Sequence, residues 1–519
     1  MIGKWNKLDT MATETELKLR IAPEQLAKLK RHALLRTLQV TRPATRRLYN
    51  IYYDTPKLEL HKSGMALRLR RTGRQWLQTL KGGGSIKAGM HLRNEWEVPV
   101  KGMALEFSSL QTAEWDEHLP KALRKKLQPV FVTDFSRSSR MLQWQGAQIE
   151  LCMDQGSVST EQHSTPVCEL ELELKSGQPQ QLFELALAIL DIVPFELEVV
   201  SKAEQGYRLL SGYADKPVKG SVPIFGRTDT LADVLQTLIW SCLLHLQSNL
   251  RGAMASDDAE YLHQMRVALR RLRVVLRMVE KNRADEQLAA LSNKVAALCV
   301  ALGRAREWDV FIAQTVQPMC ARMAGHTGLQ ALLASSKHQR DAYYVALRSE
   351  ARAHELQRLI LRFAIWMNGA YWQQPQIAPH QFESGAHDFA TRRLQKLARR
   401  FAQSGQHLDS LEAERLHALR ILAKKLRYSA EFFAGLYDKQ KAKSFLAALS
   451  EVQDVLGQIN DIAVTHRLLD ELAASQDLSA HQDAVVLAKG WIAHDLTHQF
   501  TALRKAIQRF AREPSFWEK

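Results

Sequence analysis

The chain has 519 residues, too many for one hydrophobic core, so two or three domains are expected. Hydrophobic residues make up 46% of it, which excludes wholesale disorder. A formal charge of +16, spread over both halves, favours a polyanionic partner (nucleic acid, anionic lipid or phosphate compound) without choosing among them.

The five cysteines, Cys152, Cys168, Cys242, Cys299 and Cys320, form no CxxC pair and no zinc spacing. Such an odd, scattered set reads as buried thiols in a reducing compartment, so a soluble cytoplasmic protein is expected. No signal-peptide pattern opens the chain. The window 231–250, the most apolar helical one, carries Asp233, Gln236, His245 and Asn249, so no membrane span is expected. The strong pattern begins just after Met11, which would make a natural start.

From residue 13 to about 177 the hydrophobic period is mostly two, and strands are expected over 14–21, 47–54, 65–71, 75–81, 91–100, 140–145, 148–154 and 166–175. Turn chemistry separates several of them: Thr72-Gly73, a Gly82-Gly83-Gly84 hairpin loop, and Gln145-Gly146. Helical patterns intrude at 23–35, 182–192 and 201–210. Residues 214–230 hold two prolines and two glycines with no sustained period and read as a linker. The expected domains are 11–215 and 221–519, the second wholly helical.

The helical half repeats itself. His263-Gln-Met-Arg266-Val-Ala-Leu-Arg270-Arg271-Leu-Arg273 matches His417-Ala-Leu-Arg420-Ile-Leu-Ala-Lys424-Lys425-Leu-Arg427, and Leu302-Gly303 through Val310 matches Leu456-Gly457 through Val464. Both pairs share one offset of 154 residues, the mark of a duplicated unit.

In the first domain the charges alternate with apolar residues along the strands. Glu14, Glu16 and Lys18 share one face, as do Arg68 and Arg70, and Glu169, Glu171 and Glu173. An ordinary half-buried sheet with a solvated face would show the same alternation. Two features point elsewhere. Carboxylates at spacing two repel one another unless a cation lies between them, and basic rows on other strands call for an anion. Together they suit a metal–phosphate complex, with carboxylates on a hard divalent cation and Arg and Lys on phosphate oxygens.

The opening Glu14-Thr-Glu16-Leu-Lys18 resembles the ExExK signature of the CYTH family, the triphosphate tunnel metalloenzymes. The likeness continues in order through Tyr52-Tyr53-Asp54-Thr55, Leu67-Arg68-Leu69-Arg70, Leu80-Lys81, Arg93-Asn-Glu95, Arg140, Asp154-Gln-Gly156, Glu169-Leu-Glu171-Leu-Glu173 and Ser201-Lys202. It implies an eight-stranded antiparallel barrel with a polar lumen and helices outside. It further implies hydrolysis of inorganic triphosphate to pyrophosphate and phosphate, as in bacterial inorganic triphosphatases. Lys18, Arg68, Arg70, Lys81, Arg93, Arg140 and Lys202 would cradle the substrate. Glu14, Glu16, Glu169 and Glu171, with Asp154, would hold Mg²⁺ or Mn²⁺ and carry catalysis by charge stabilisation. Glu95 and Glu173 also fit the lumen face, whereas Tyr52 and Tyr53 read as barrel packing.

In the second domain His263, Arg266, Arg270 and Arg273 fall on one helical face, and His417, Arg420, Lys424 and Arg427 repeat the arrangement. One such stripe is a solvated face; two at one offset predict a basic groove for a chain of phosphates, tightening as the histidines protonate near pH ~6.5. The region resembles the CHAD domain, a helical domain often fused behind CYTH, which implies binding of polyphosphate. His387-Asp388 and His494-Asp495 lack the other ligands of a metal phosphohydrolase. The same barrel resemblance extends to thiamine-triphosphatase and class IV adenylate cyclase activities, and a non-catalytic polyphosphate-binding protein is a third reading. No nucleic-acid recognition motif accompanies the basic stripes.

Overall fold

The structure, a computed structural model, describes residues 12–107, 119–212, 215–226, 229–282, 285–373, 385–405, 413–474, 478 and 480–518; Met11 and the residues before it lie outside this set. The chain divides into two compact units. The first runs to Lys216 and takes in His354–Tyr371; the second holds Pro217–Ala353 and Trp372–Lys519.

The first unit is built on strands β1 (Ala12–Arg20), β2 (Ala44–Asp54), β3 (Ala66–Thr72), β4 (Gln75–Lys87), β5 (Met90–Val100), β6 (Gln128–Trp144), β7 (Ala147–Ser159), β8 (Ser164–Ser176) and β9 (Glu196–Leu197). They form one antiparallel sheet in the order β5-β4-β3-β2-β6-β7-β8-β1-β9, and β5 also pairs with β1. The first eight strands therefore close into a barrel, as expected, and β9 occupies the edge of β1 beyond the end of β5. Closure leaves no open edge in the ring.

Alternation then sorts the side chains. Leu17, Leu19, Leu67, Leu69, Leu151, Leu170 and Leu172 are fully buried on the outer face. Among the described residues, six short helices accompany the barrel: α1 (Pro23–Arg31), α2 (Ala33–Leu38), α3 (Glu59–Lys62), α4 (Lys121–Arg124), α5 (Pro179–Leu190) and α6 (Lys202–Ser211). α5 buries Leu182, Phe183, Leu185, Ala186, Ile189 and Leu190, an apolar stripe at helical spacing.

Two expectations are corrected here. Strand β6 begins at Gln128, not near 140, because Phe131, Thr133, Phe135 and Arg137 alternate with outward residues all along it. The Gly82-Gly83 stretch is no hairpin loop. It lies inside β4, where the register against β5 slips between Gly82 and Ser85, and the chain turns at Ala88-Gly89 instead. The turns at Gly73 and Gln145-Gly146 fall where expected, with positive φ.

The second unit is helical: α7 (Leu231–Ala255), α8 (Ala259–Asn282), α9 (Glu286–Phe311), α10 (Gln317–Arg322), α11 (Thr327–Leu347), α12 (Glu350–Asn368), α13 (Ala370–Gln373), α14 (Ala386–Ser404), α15 (Ala413–Phe433), α16 (Lys439–Ala473) and α17 (Gln482–Phe510). Most of α12 packs with the first unit, where Gln357 Oε1 accepts a hydrogen bond from the Leu197 amide at 3.1 Å. The repeated motifs lie on α8–α9 and α15–α16, so the duplication is a duplicated helix pair. A capping box of Thr230 and Asp233 starts α7 where the linker was expected to end. The continuous helical run 286–322 is apolar and long enough to cross a membrane. Its Leu288, Val295, Leu298, Leu302, Trp308 and Phe311 are buried among the other helices, while Val300 is exposed.

Candidate functional sites

The barrel lumen encloses a cavity of about 450 Å³ whose walls are mostly charged, with Tyr52 and Phe135 among the exceptions. At one place three carboxylates converge: Asp154 on β7 and Glu169 and Glu171 on β8 each bring an oxygen within 4.8 Å of the others, and all three are buried. Lys202, the first residue of α6, lies among them, with Nζ 2.7 Å from Asp154 Oδ2, 3.0 Å from Glu171 Oε1, and in contact with Glu169. Arg137 adds a fork to Asp154 at 2.8 and 2.7 Å and also meets Glu171. On the adjoining wall Lys18 Nζ is 2.9 Å from Glu16 Oε1 and pairs with Glu171. Lys81 pairs with Glu14 and stands 3.1 Å from Glu95, which also faces Arg68.

These contacts set the ionisation of the lumen. Burial and the neighbouring Glu171 and Asp154 carboxylates push the Glu169 carboxyl up, against the pull of Lys202. Burial would do the same to Glu171, but Lys18, Lys202 and Arg137 outweigh it and hold this carboxyl well below the usual range. The same balance raises the Lys18 ammonium, where Glu16 and Glu171 overcome burial. Arg70, buried beside Arg68 and Arg137, is pushed down to about 10. The lumen thus holds a network of alternating sign that still has a repelling pair of acids on one wall and repelling guanidinium groups on another.

Helix α6 sets where Lys202 reaches. The Ser201 hydroxyl accepts from the Glu204 amide and caps the helix. Tyr207 Oη donates to the buried Asp54 at 2.9 Å, and His61 Nε2 lies 2.9 Å from Glu204 Oε2. Gly206 is required by close approach: a Cβ there would fall 2.2 Å from the Phe131 ring.

Of the residues expected to serve this site, Glu14, Glu16, Lys18, Arg68, Arg70, Lys81, Glu171 and Lys202 line one cavity, and Asp154 and Glu169 lie at its carboxylate cluster. Glu14 and Glu16 are on the tunnel wall but outside that cluster. Arg93 stands opposite Glu14 in the β1–β5 register, and its side chain lies outside the described residues. Arg140 is a correction. It is three residues from Arg137 on a strand without register shift against β7, so it points to the outer face opposite Leu151. Arg137 is the lumen arginine that sequence reasoning missed, and its place on one strand face with Phe131, Thr133 and Phe135 was the available signal. Tyr52 packs as expected, stacked on Phe131 at 4.5 Å in a buried cluster, and it also lines the cavity, whereas Tyr53 packs outside.

The second unit contains a cavity of about 530 Å³ lined by Arg270, Arg273, Arg277 and Lys281 of α8, Arg393 and Arg400 of α14, and Arg420, Lys424 and Lys425 of α15. Among the described residues no carboxylate lines it. Four of the eight residues expected to bind polyphosphate meet here: Arg270, Arg273, Arg420 and Lys424. The others do not line it. Arg427 bonds Glu431 and Gln453, Arg266 donates to the Cys299 carbonyl, His417 is exposed, and His263 lies elsewhere along α8. Burial and the nearby Arg306 hold His263 well below its ordinary value, so it does not protonate near neutral pH as expected. The five added cations include two from α14, which carries no copy of the repeated motif. Its signal was the run Arg392-Arg393, Lys396, Arg399-Arg400 alternating with Leu394, Leu397 and Phe401. Burial and the repulsion of Arg270, Arg420 and Arg266 push Lys424 down to about 6, and burial pushes Arg393 to about 10. His387 and Asp388 are exposed and 3.7 Å apart, while the side chains of His494 and Asp495 lie outside the described residues.

Comparison with known proteins places these two sites in two families. The CYTH domain family matches residues 12–207, and the CHAD domain family matches residues 237–470. A relative from Haemophilus influenzae, named inorganic triphosphatase, is 34% identical over 204 residues, 38% of this chain and 55% of that protein; the chain thus spans about half of that relative's length. Among solved structures, the CHAD domain of the plant Ricinus communis is 29% identical and covers 58% of this chain and 99% of its own, with a TM-score of 0.49. A Hippeastrum protein described as a putative adenylyl cyclase with a dominant triphosphatase activity is 18% identical over 39% of this chain and 97% of its own, with a TM-score of 0.30. The chain therefore carries a CYTH domain followed by a CHAD domain.

Proposed function

We propose that the tunnel, on the unit begun by residues 11–215, hydrolyses inorganic triphosphate to pyrophosphate and phosphate with a bound Mg²⁺ or Mn²⁺, and that the helical half, residues 221–519, binds polyphosphate. The name of the Haemophilus influenzae relative supports the first part. The observation that carries it is the meeting, in one lumen, of a three-carboxylate cluster with Lys18, Arg68, Arg70, Lys81 and Lys202. The donor set fits a hard divalent cation, because Asp154, Glu169 and Glu171 bring buried carboxylate oxygens within 4.8 Å of one another. Asp154, Glu169 and Glu171 would hold the ion, with Glu14 and Glu16 on the neighbouring wall. Bound there, it would polarise the terminal phosphate.

The protein's own residues supply the rest. Arg68, Arg70 and Lys81 offer donors to phosphate oxygens from β3 and β4, and Lys18 and Arg137 do so from β1 and β6. Each already has a place in the network, Arg70 through the Asn50 side chain at 2.9 Å, so little reorganisation accompanies substrate binding. Catalysis is then positioning and charge stabilisation on a chain of phosphates that carries no ring or base to recognise. The setting is cytoplasmic, where such substrates and free thiols coexist.

The test is phosphate release from triphosphate, pyrophosphate, ATP, thiamine triphosphate and long polyphosphate, each with Mg²⁺, Mn²⁺ or chelator. Triphosphate is expected to be the best substrate and chelator to remove all activity. Turnover undiminished in chelator, or a clear preference for ATP or thiamine triphosphate, overturns the reading.

A further inference from the structure

The two cavities differ in a way that bears on what each accepts. Among the described residues, the tunnel wall mixes carboxylates with cations and includes no branched aliphatic side chain. Among them too, the helical cavity has nine cations and no carboxylate, and its remaining lining is Val274, Leu397, Ile421, Leu422 and Tyr428. Ile421 is 39% exposed, a large aliphatic side chain facing solvent beside a row of charges. A bare chain of phosphates would satisfy the cations and leave this apolar wall against water. A ligand with an aromatic ring as well as phosphates would cover both.

We propose that this cavity takes a nucleoside polyphosphate, its phosphates on the arginines and lysines and its base against Ile421, Leu397 and Tyr428. The proposal rests on the reading of the helical half as an anion-binding unit and narrows its ligand. The volume of about 530 Å³ falls in the range of small-molecule sites, roughly 300–1,000 Å³. Tyrosine rings and guanidinium planes are the groups on which unpaired bases stack, and the cavity offers both. Arg393 is held for such a role: its Nε donates to Ser429 Oγ at 3.2 Å, which fixes the guanidinium plane at the cavity wall. The nine cations on the described wall can themselves supply the countercharge to the phosphates, with no metal required.

The experiment is calorimetry on the full chain in chelator, with ATP and inorganic tripolyphosphate as the two probes. The proteins are the unaltered chain, Ile421→Ser, Ile421→Ser with Tyr428→Ala, and Arg420→Glu with Lys424→Glu. The tunnel is the same in all four, so differences between them report the helical cavity. Loss of the apolar wall is expected to weaken ATP about tenfold at this site and tripolyphosphate less than about twofold, while charge reversal weakens both. Ile421→Ser alone changes an exposed side chain and keeps the test alive should the double variant misfold by circular dichroism. Equal effects of the apolar variants on both probes, or none on ATP, overturn the proposal. If charge reversal changes neither probe, the anion-binding reading falls with it.

Discussion

The same residue type behaves in opposite ways in the two units. Lys18 in the barrel is raised by Glu16 and Glu171 despite full burial, whereas Lys424 in the helical cavity is pushed down to about 6 by burial and three arginines. The tunnel arrives with its countercharges built in, so binding exchanges one set of partners for another. The helical cavity gathers nine cations with little countercharge, Asp461 acting on Arg420 and Lys424, so a bound anion would relieve much of the repulsion. The first arrangement suits turnover, in which products must leave; the second suits retention.

The largest expected effect is on the built-in network. Glu169→Gln deletes a charge from the three-carboxylate cluster and almost no volume, and kcat for triphosphate should fall by about 10²–10³-fold, the scale of losing one electrostatic stabiliser. Chelator should abolish turnover outright yet leave polyphosphate binding by the helical half unchanged. Phosphate release and calorimetry on the same preparation check both statements. Chelator-sensitive polyphosphate binding would erase the contrast between the units.

Next in size is the stored charge. Arg270→Glu with Arg420→Glu should weaken long polyphosphate by about two orders of magnitude and flatten the slope of affinity against salt, because fewer counterions are released. His263→Ala with His417→Ala should change affinity less than about twofold, since neither histidine lines the cavity. A larger loss from the histidines than from the arginines would put the binding surface elsewhere on α8 and α15.

A smaller effect separates two arginines on one strand. Arg137→Ala should cut kcat/KM for triphosphate by about 10- to 100-fold, as expected when charge-assisted hydrogen bonds worth about 1.5–3 kcal/mol are lost. Arg140→Ala should leave kcat/KM within about twofold and act, if at all, on Tm. The reverse ranking would mean that β6 presents its other face.

The contrast between these two arginines also shows what the sequence could carry. Acidic and basic rows at spacing two put Glu14, Glu16 and Lys18, Arg68 and Arg70, and Glu169 and Glu171 each on one strand face, because a strand's period is fixed by its backbone, while the lumen that joins those faces, and Lys81 within it, came from the resemblance. The face of an arginine depends instead on where its strand begins. Gln128-Pro129 gives no sign of opening a strand of 17 residues, so Arg140 was read on the wrong face and Arg137 passed over. The glycine run in β4 misled for a related reason: a bulge and a hairpin use the same residue. In the helical half the repeat identified α8 and α15, but a repeat is silent about a helix outside it, and α14 contributes Arg393 and Arg400. The packing of His354–Tyr371 with the barrel had no local signature at all, since it is a long-range contact of an ordinary amphipathic helix.

The smallest effect expected is a dependence on pH, and it sharpens the contrast most directly. In the ligand-free cavity Lys424 is depressed to about 6 by burial and by Arg270, Arg420 and Arg266, with Asp461 opposing them. A polyanion seated beside it replaces net repulsion with attraction and raises the Lys424 ammonium back toward its ordinary range. Between those two values the complex holds a proton that the free protein lacks. Binding therefore takes up a proton, and affinity falls as pH rises from about 6, by at most tenfold per unit for a single proton. His263 cannot supply this slope, since burial and Arg306 keep it neutral throughout the window. Lys424→Arg places a charge that does not titrate at the same position and should flatten the profile while preserving affinity near pH ~6. Calorimetry in buffers of differing ionisation enthalpy counts the proton directly: close to one for the unaltered chain at about pH 7.5, and close to zero for Lys424→Arg. Identical proton counts for the two would show that Lys424 is already charged in the free cavity, its repulsion relieved by neighbours such as Asp461.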